Sequence, residues 1–298
     1  MQNIDTFSSY HPIINFLYFG LVFAFSMFFM HPVCLVISLT CALTYSIYLR
    51  GGKALKFSLV YMLPMVLLAA IINPAFNHQG ATLITYLPSG NPLTLESIIY
   101  GFAAAIMIAS IVIWFTCYNE VMTSDKFVYL FGRIIPAMSL VISMTLRFVP
   151  KFVKQLHTVS EAQRCIGRDI SNGTLVQRLK NAITILSIML TWALENSIET
   201  ADSMKSRGYG LPGRTAFSIY KFDERDKWAL LWLIFCGTYI FCGSLAGGLC
   251  FGYYPVIKYV EFSAFPVSFM LVYLFLCLTP IIVNVKEDMM WKHLQLKT

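Results

Sequence analysis

The sequence has 298 residues, 57% hydrophobic and 15% aromatic, with only 12% charged, where soluble domains carry roughly 25%. A water-soluble globule of this composition could not cover its own surface, so soluble enzymes and nucleic-acid-binding modules are excluded. The formal net charge of +7 is unevenly spread, and its placement is informative about topology.

Apolar runs near the roughly 20 residues that cross a bilayer recur at about 12–30, 32–49, 57–73, 93–117, 228–252 and 266–285. They predict an all-α polytopic membrane protein with about six transmembrane helices. The first 30 residues hold no lysine or arginine and no small-residue cleavage site, so no cleaved signal peptide is expected. The loop after the second run, RGGKALK, carries Arg50, Lys53 and Lys56, whereas PAFNHQGATLITYLPSGNP after the third has no lysine or arginine. Positive charge marks the cytoplasmic side, which puts the first loop inside and the second outside. Asn73-Pro74 and Asn91-Pro92 bracket the outer loop and read as turns. The last two runs form an in-out-in hairpin: Lys258 and Glu261 lie between them, and Lys286, Lys292, His293 and Lys297 follow. Both termini are therefore expected in the cytoplasm.

Residues 120–226 must begin and end on one side. Further spans near 128–146 and 182–198 would leave Arg147, Lys151, Lys154, Arg164, Arg168, Arg178 and Lys180 outside against Glu161 and Asp169, contrary to the charge rule. Arg133, Arg147, Glu195 and Glu199 would also be costly near a bilayer centre. The stretch instead predicts amphipathic helices at the cytoplasmic face, their apolar residues forming helix–helix interface. A first helix, about 127–146, is kinked or broken at Pro136. A second runs over about 148–166, with Glu161, Arg164 and Arg168 on one face. Ser171-Asn172-Gly173 is a turn. A third helix, about 175–207, carries an apolar stripe at Ile183, Leu186, Leu190, Ala193, Leu194 and Ile198, with Glu195, Glu199 and Asp202 on other faces. The organisation is a four-span membrane region at 1–119, a cytoplasmic region of long helices at 120–226, and a membrane hairpin at 227–298.

Chemical motifs are sparse. The eight cysteines form no CxxC pair, and His11, His31, His78, His157 and His293 show no HxxxH or HExxH spacing, so neither a metal nor another cofactor is expected. With no phosphate-cradling GxxxxGK[ST], the chain is not expected to bind ATP itself. Gly243-Ser-Leu-Ala-Gly247 has the small-xxx-small spacing of a helix interface.

Two helix ends are alike. AQRCIGRD (162–169) places Arg164 before Gly167, and SMKSRGYG (203–210) places Lys205 and Arg207 before Gly208. Capping accounts for either alone, because glycine accepts the left-handed conformation and cations complement the helix dipole. As a pair they also project guanidinium groups able to fork a partner's carboxylate. Cys165 and Ser206 beside them are small enough for close approach.

LRFVPKFVKQLHTVSEAQRCIGRD (146–169) and ADSMKSRGYG (201–210) together resemble the transmembrane T component of energy-coupling factor (ECF) transporters. That family carries two Ala-Arg-Gly-like signatures at the ends of two long coupling helices. The resemblance implies a non-catalytic energy-coupling subunit of an ECF-type ABC importer in a prokaryotic plasma membrane. It would dock two ABC ATPase subunits and hold a small membrane substrate-capture (S) component, driving uptake of a vitamin or metal ion. The ATPase-binding residues so implied are Arg164, Cys165, Ile166, Gly167 and Arg168 at one end, and Lys205, Ser206, Arg207 and Gly208 at the other. Ser206-Arg207-Gly208 matches the second signature, whereas Cys165-Ile166-Gly167 has isoleucine where arginine is expected. Either Arg164 or Arg168 would then supply the first charge, or the first ATPase contact would be chiefly apolar and weaker. The alternatives are a conventional ABC-importer permease, whose coupling loop Glu161-Ala162 and Gly167 echo, and an intramembrane lipid-modifying enzyme built on Glu195, Glu199 and Asp202.

Overall fold

The computed structural model describes residues 5–86, 92–132, 136–209, 211, 220–249, 251–257 and 263–295. Asn91, Arg133, Gly210, Lys258, Glu261 and Lys297 of the sequence reading lie outside them. The helices are α1 (Pro12–Phe28), α2 (Pro32–Arg50), α3 (Gly52–Phe57), α4 (Leu63–Phe76), α5 (Leu95–Val121), α6 (Ser124–Gly132), α7 (Pro136–Cys165), α8 (Leu175–Ser206), α9 (Glu224–Leu245) and α10 (Ala264–Gln295). Two short antiparallel strands, β1 (Leu83–Tyr86) and β2 (Pro92–Thr94), interrupt an otherwise helical chain. Among the described residues, α2, α5, α9 and most of α10 are long and apolar enough to cross a membrane, and α1 and Val60–Phe76 are shorter apolar helices. The all-α polytopic class follows.

Local chemistry starts these helices. His11-Pro12 and His31-Pro32 are paired N-terminal signals, with proline in the first turn where its missing N–H costs nothing. Each imidazole Nδ1 accepts a backbone N–H, from Ile13 at 3.4 Å and from Val33 at 3.3 Å. Two of the five histidines are thus helix caps. Between α3 and α4 the chain makes one π turn over Ser58–Met62, just before Pro64 withholds a helical donor.

The chain forms two compact units, Met1–Thr123 with Tyr220–Thr298, and Ser124–Ile219. In the first, α1, α2, α5, α9 and α10 share a core around Trp114, Tyr18, Tyr45 and Tyr273, all fully buried. Several of its polar groups are paired. Trp114 Nε1 donates to Ser38 Oγ at 3.1 Å, and the Ser26 hydroxyl bonds Ser38 at 2.8 Å and Tyr273 at 3.0 Å. This chain ties four helices together where an unpaired group would cost about 1–3 kcal/mol. At one rim Arg50 pairs with Glu120 at 3.0 Å, joining the ends of α2 and α5. Gly243 lets α9 approach α10, because a Cβ there would strike the Phe269 ring. Gly247, the other member of that small-residue pattern, ends α9 at φ +78° with open space around it.

In the second unit α7 and α8 are antiparallel: Lys151 donates to Asn196, Phe152 meets Trp192 edge to face at 5.3 Å, and Val159 packs with Ile185 and Met189.

Three local expectations are corrected. The break expected at Pro136 is present, since α6 ends at Gly132 and α7 begins at Pro136, but α7 runs unbroken through Pro150 to Cys165, so the predicted boundary near 147 does not exist. Proline is tolerated at a first helical position, and one interior proline removes a single hydrogen bond that a 30-residue helix survives. Asn73-Pro74 is no turn; both residues lie inside α4, where buried Ala70 and Pro74 share a face in a helix packed on α5. The stripe on α8 is not internal interface. Leu186 and Leu190 are each 64% exposed, and Ile183, Leu194 and Ile198 are exposed with them, whereas Ile185 and Met189 face α7. Periodicity revealed an amphipathic helix but not which face the chain itself covers.

Candidate functional site: two matching helix ends

α7 and α8 terminate in the same hydrogen-bond pattern. Gly167 N donates to Arg164 O at 3.0 Å and Arg168 N to Gln163 O at 2.9 Å; Gly208 N donates to Lys205 O at 3.0 Å and Tyr209 N to Met204 O at 3.1 Å. Each is a Schellman closure, in which a left-handed residue lets two N–H groups turn back onto the last carbonyls. The glycines sit at φ +78° and +74° accordingly. The pattern puts Cys165 and Ser206 in equivalent places, and likewise Ile166 and Arg207, and Arg168 and Tyr209. Ile166 is 63% exposed and Arg207 is exposed too.

Around the first end the charges differ in their engagement. Arg164 reaches Asp169 at 3.6 Å, while Arg168 is exposed without an ion-pair partner among the described residues. Asp169 organises the following loop: it accepts Ser171 N at 3.0 Å, Ser171 Oγ at 2.6 Å and Asn172 Nδ2 at 3.3 Å. The Ser171 hydroxyl and N–H, reinforced by Arg164, hold its carboxyl below the ordinary carboxylate range. Asn181 Nδ2 donates to Asp169 O at 2.9 Å and Arg178 Nε to Ile170 O at 2.6 Å, fastening the loop to the first turns of α8. Gly173, at φ +103°, and the Thr174/Gln177 capping box then start that helix.

At the second end Arg207 lines a cavity of about 360 Å³ with Arg147, Lys151, Glu199 and Tyr209. Lys151 is held there, its ammonium 5.6 Å from the Trp192 ring centre. Three cations against Glu199 make this a basic groove. Arg147 and Lys151 appear in the sequence only as topology markers; 60 and 56 positions separate them from Arg207, and only the antiparallel pairing brings them together.

Because α7 and α8 are antiparallel, the two ends lie at opposite ends of the pair. α8 alone is about 48 Å long at ~1.5 Å per residue. The nine residues thus form two separate groups. No three His, Cys, Asp or Glu side chains cluster as metal ligands among the described residues.

A family model described as CbiQ, cobalt transport protein, matches residues 11–217. The chain belongs to this cobalt transport protein family. The match spans both helix ends and the membrane helices before them. Similar relatives are named energy-coupling factor transporter transmembrane protein EcfT: one from Lactobacillus helveticus is 36% identical over 32% of this chain and 35% of its own length. One from Streptococcus equi is 30% identical over 35% of this chain and 39% of its own. The chain therefore spans little more than a third of these relatives. A Listeria monocytogenes relative, EcfT 1, is 25% identical but aligns over 72% of this chain and 83% of its own length. The resemblance to the T component holds, and the cobalt transport protein family places the chain among multi-pass membrane proteins of transporters.

Proposed function

We propose that this chain is the energy-coupling transmembrane subunit of an ECF-type ABC importer in a prokaryotic cell membrane, itself non-catalytic, working with two ATPase subunits and an S component. The observation that carries the proposal is the pair of matching, exposed helix ends at opposite ends of one antiparallel helix pair. Two such ends suit two ATPases, each receiving one tip.

In this reading residues 1–119 and 227–298 form the membrane part and 120–226 the coupling part, with both termini cytoplasmic. The Arg50–Glu120 pair at one rim of the first unit is consistent with a cytoplasmic side there. Arg207, with Arg147 and Lys151 behind it, receives an acidic groove of one ATPase; Arg168 supplies the cation at the other tip, since Arg164 is engaged by Asp169. ATP binding draws the ATPases together and hydrolysis lets them part. The α7–α8 pair carries that displacement toward the membrane. The exposed stripe of α8 adjoins an apolar groove of about 350 Å³ formed with Phe152 and Leu156 of α7. Uncovered apolar surface of this extent supports contact with bilayer or with the S component, which would be reoriented to release a vitamin or metal ion inward.

The test is co-purification of ATPase subunits with tagged variants, together with uptake. Arg207→Ala is expected to lose ATPase and coupled uptake to a greater degree than Ile166→Ala. Wild-type assembly and uptake by Arg207→Ala would overturn the assignment.

A further inference from the structure

A cavity of about 690 Å³ opens between α9 and α10, within the roughly 300–1,000 Å³ of small-molecule sites. Its walls change character along the helices. At the mouth stand Arg225, Lys286 and Glu287; below them come Trp228 and Trp232 of α9 facing Ile282 and Val283, and the floor is Phe275. Arg225 is fixed, its guanidinium 4.2 Å from the Tyr10 ring centre and 3.5 Å from Glu287 Oε1. Lys286 has no ion-pair partner among the described residues, so the mouth keeps one uncompensated positive charge. Trp232 Nε1 donates to Thr279 Oγ1 at 3.3 Å, which holds that indole across the groove, while Trp228 is 72% exposed.

The dimensions match one leaflet. From Lys286 down to Phe275 the groove runs about 16 Å at ~1.5 Å per residue, half of the ~30 Å hydrocarbon core. Cations at the headgroup level, tryptophans at the interface and an apolar trough beneath reproduce the sequence of environments along a phospholipid.

We propose that this groove binds one anionic phospholipid, its phosphate held by Lys286 and Arg225 and one acyl chain lying along Trp228, Trp232 and Phe275. A partner's helix would need to bury Lys286 without compensation unless it brought its own acid. An anionic lipid supplies that charge from the membrane itself.

The test uses the full chain in phosphatidylcholine nanodiscs containing a minor fraction of phosphatidylglycerol with a diazirine-bearing acyl chain. Adducts mapped to α9 and α10 are scored against adducts on Val36 and Ile47, exposed positions of the apolar helix α2, so that misfolded variants are recognised. The expected result is enrichment at Trp228–Trp232 and Phe275–Val283 with phosphatidylglycerol over an equally labelled phosphatidylcholine. Lys286→Gln should lower that enrichment about fivefold, the equivalent of ~1 kcal/mol per basic residue at the surface. Ile282→Trp, which fills the trough and keeps the charges, should abolish it. Equal labelling by both lipids, no response to either variant, or protection of the groove by a co-purifying membrane protein would each overturn the proposal.

Discussion

Ile166 and Arg207 occupy the same position, immediately before a left-handed glycine, in two helix terminations with the same hydrogen-bond pattern. Only one of the two is charged. If the ends dock equivalent grooves, the asymmetry belongs to the side chain and not to the backbone. Ile166→Arg should strengthen ATPase retention at the first end, and Arg168→Ala should weaken it. Losing one partner of a buried hydrogen-bonded charge pair costs about 2–5 kcal/mol. Affinity of purified ATPase for immobilised variants, measured by surface binding, would reveal both changes.

The glycines themselves are separable from docking. Gly208→Ala forces a side chain into the left-handed region, at roughly 1–2 kcal/mol, and sets its Cβ 3.1 Å from Leu211 Cδ1. Gly167→Ala carries the conformational cost with open space around it. Hydrogen exchange should therefore speed at the Tyr209 amide in the first variant, and to a smaller degree at the Arg168 amide in the second.

The loop at 168–174 should respond to acid. Asp169 has a folded-state pKa below its ordinary value of 3.8, owing first to Ser171 and with help from Arg164. A depressed pKa stabilises the loop fully above the ordinary value and loses that contribution as pH falls through the folded value. Exchange at Ser171 should thus be independent of pH near neutrality, after correction for intrinsic rates, and rise below about pH 4. Asp169→Asn should remove the dependence.

In the membrane unit Ser38→Ala deletes the acceptor of Trp114 Nε1 and one partner of Ser26. The orphaned indole N–H is fully buried, so a loss of about 1–3 kcal/mol is expected. Trp114→Phe in the same background should recover part of it, since no donor then remains unpaired. Thermal unfolding in detergent measures both.

The membrane helices and both glycine ends were legible because each is written locally. Long apolar runs and a basic last turn before glycine need no distant partner to be understood. Proline was legible only in part: the break expected at Pro136 is present, while Pro74 and Pro150 sit inside helices that packing sustains. The groove beside Arg207 was not legible at all. Arg147 and Lys151 reach it through the antiparallel docking of α7 on α8, set by Val159, Ile185 and Met189, and nothing in their own sequence neighbourhood marks them. The α8 stripe shows the same limit, because a 3.6-residue period does not say what will cover it.

The proposal that one chain bridges two ATPases stands or falls on subunit composition. Native mass measurement of the complex purified through this chain should find one copy of it, two ATPase subunits and one different small membrane protein. Two copies of this chain with two ATPases and no further membrane protein would identify a conventional permease dimer and contradict the account.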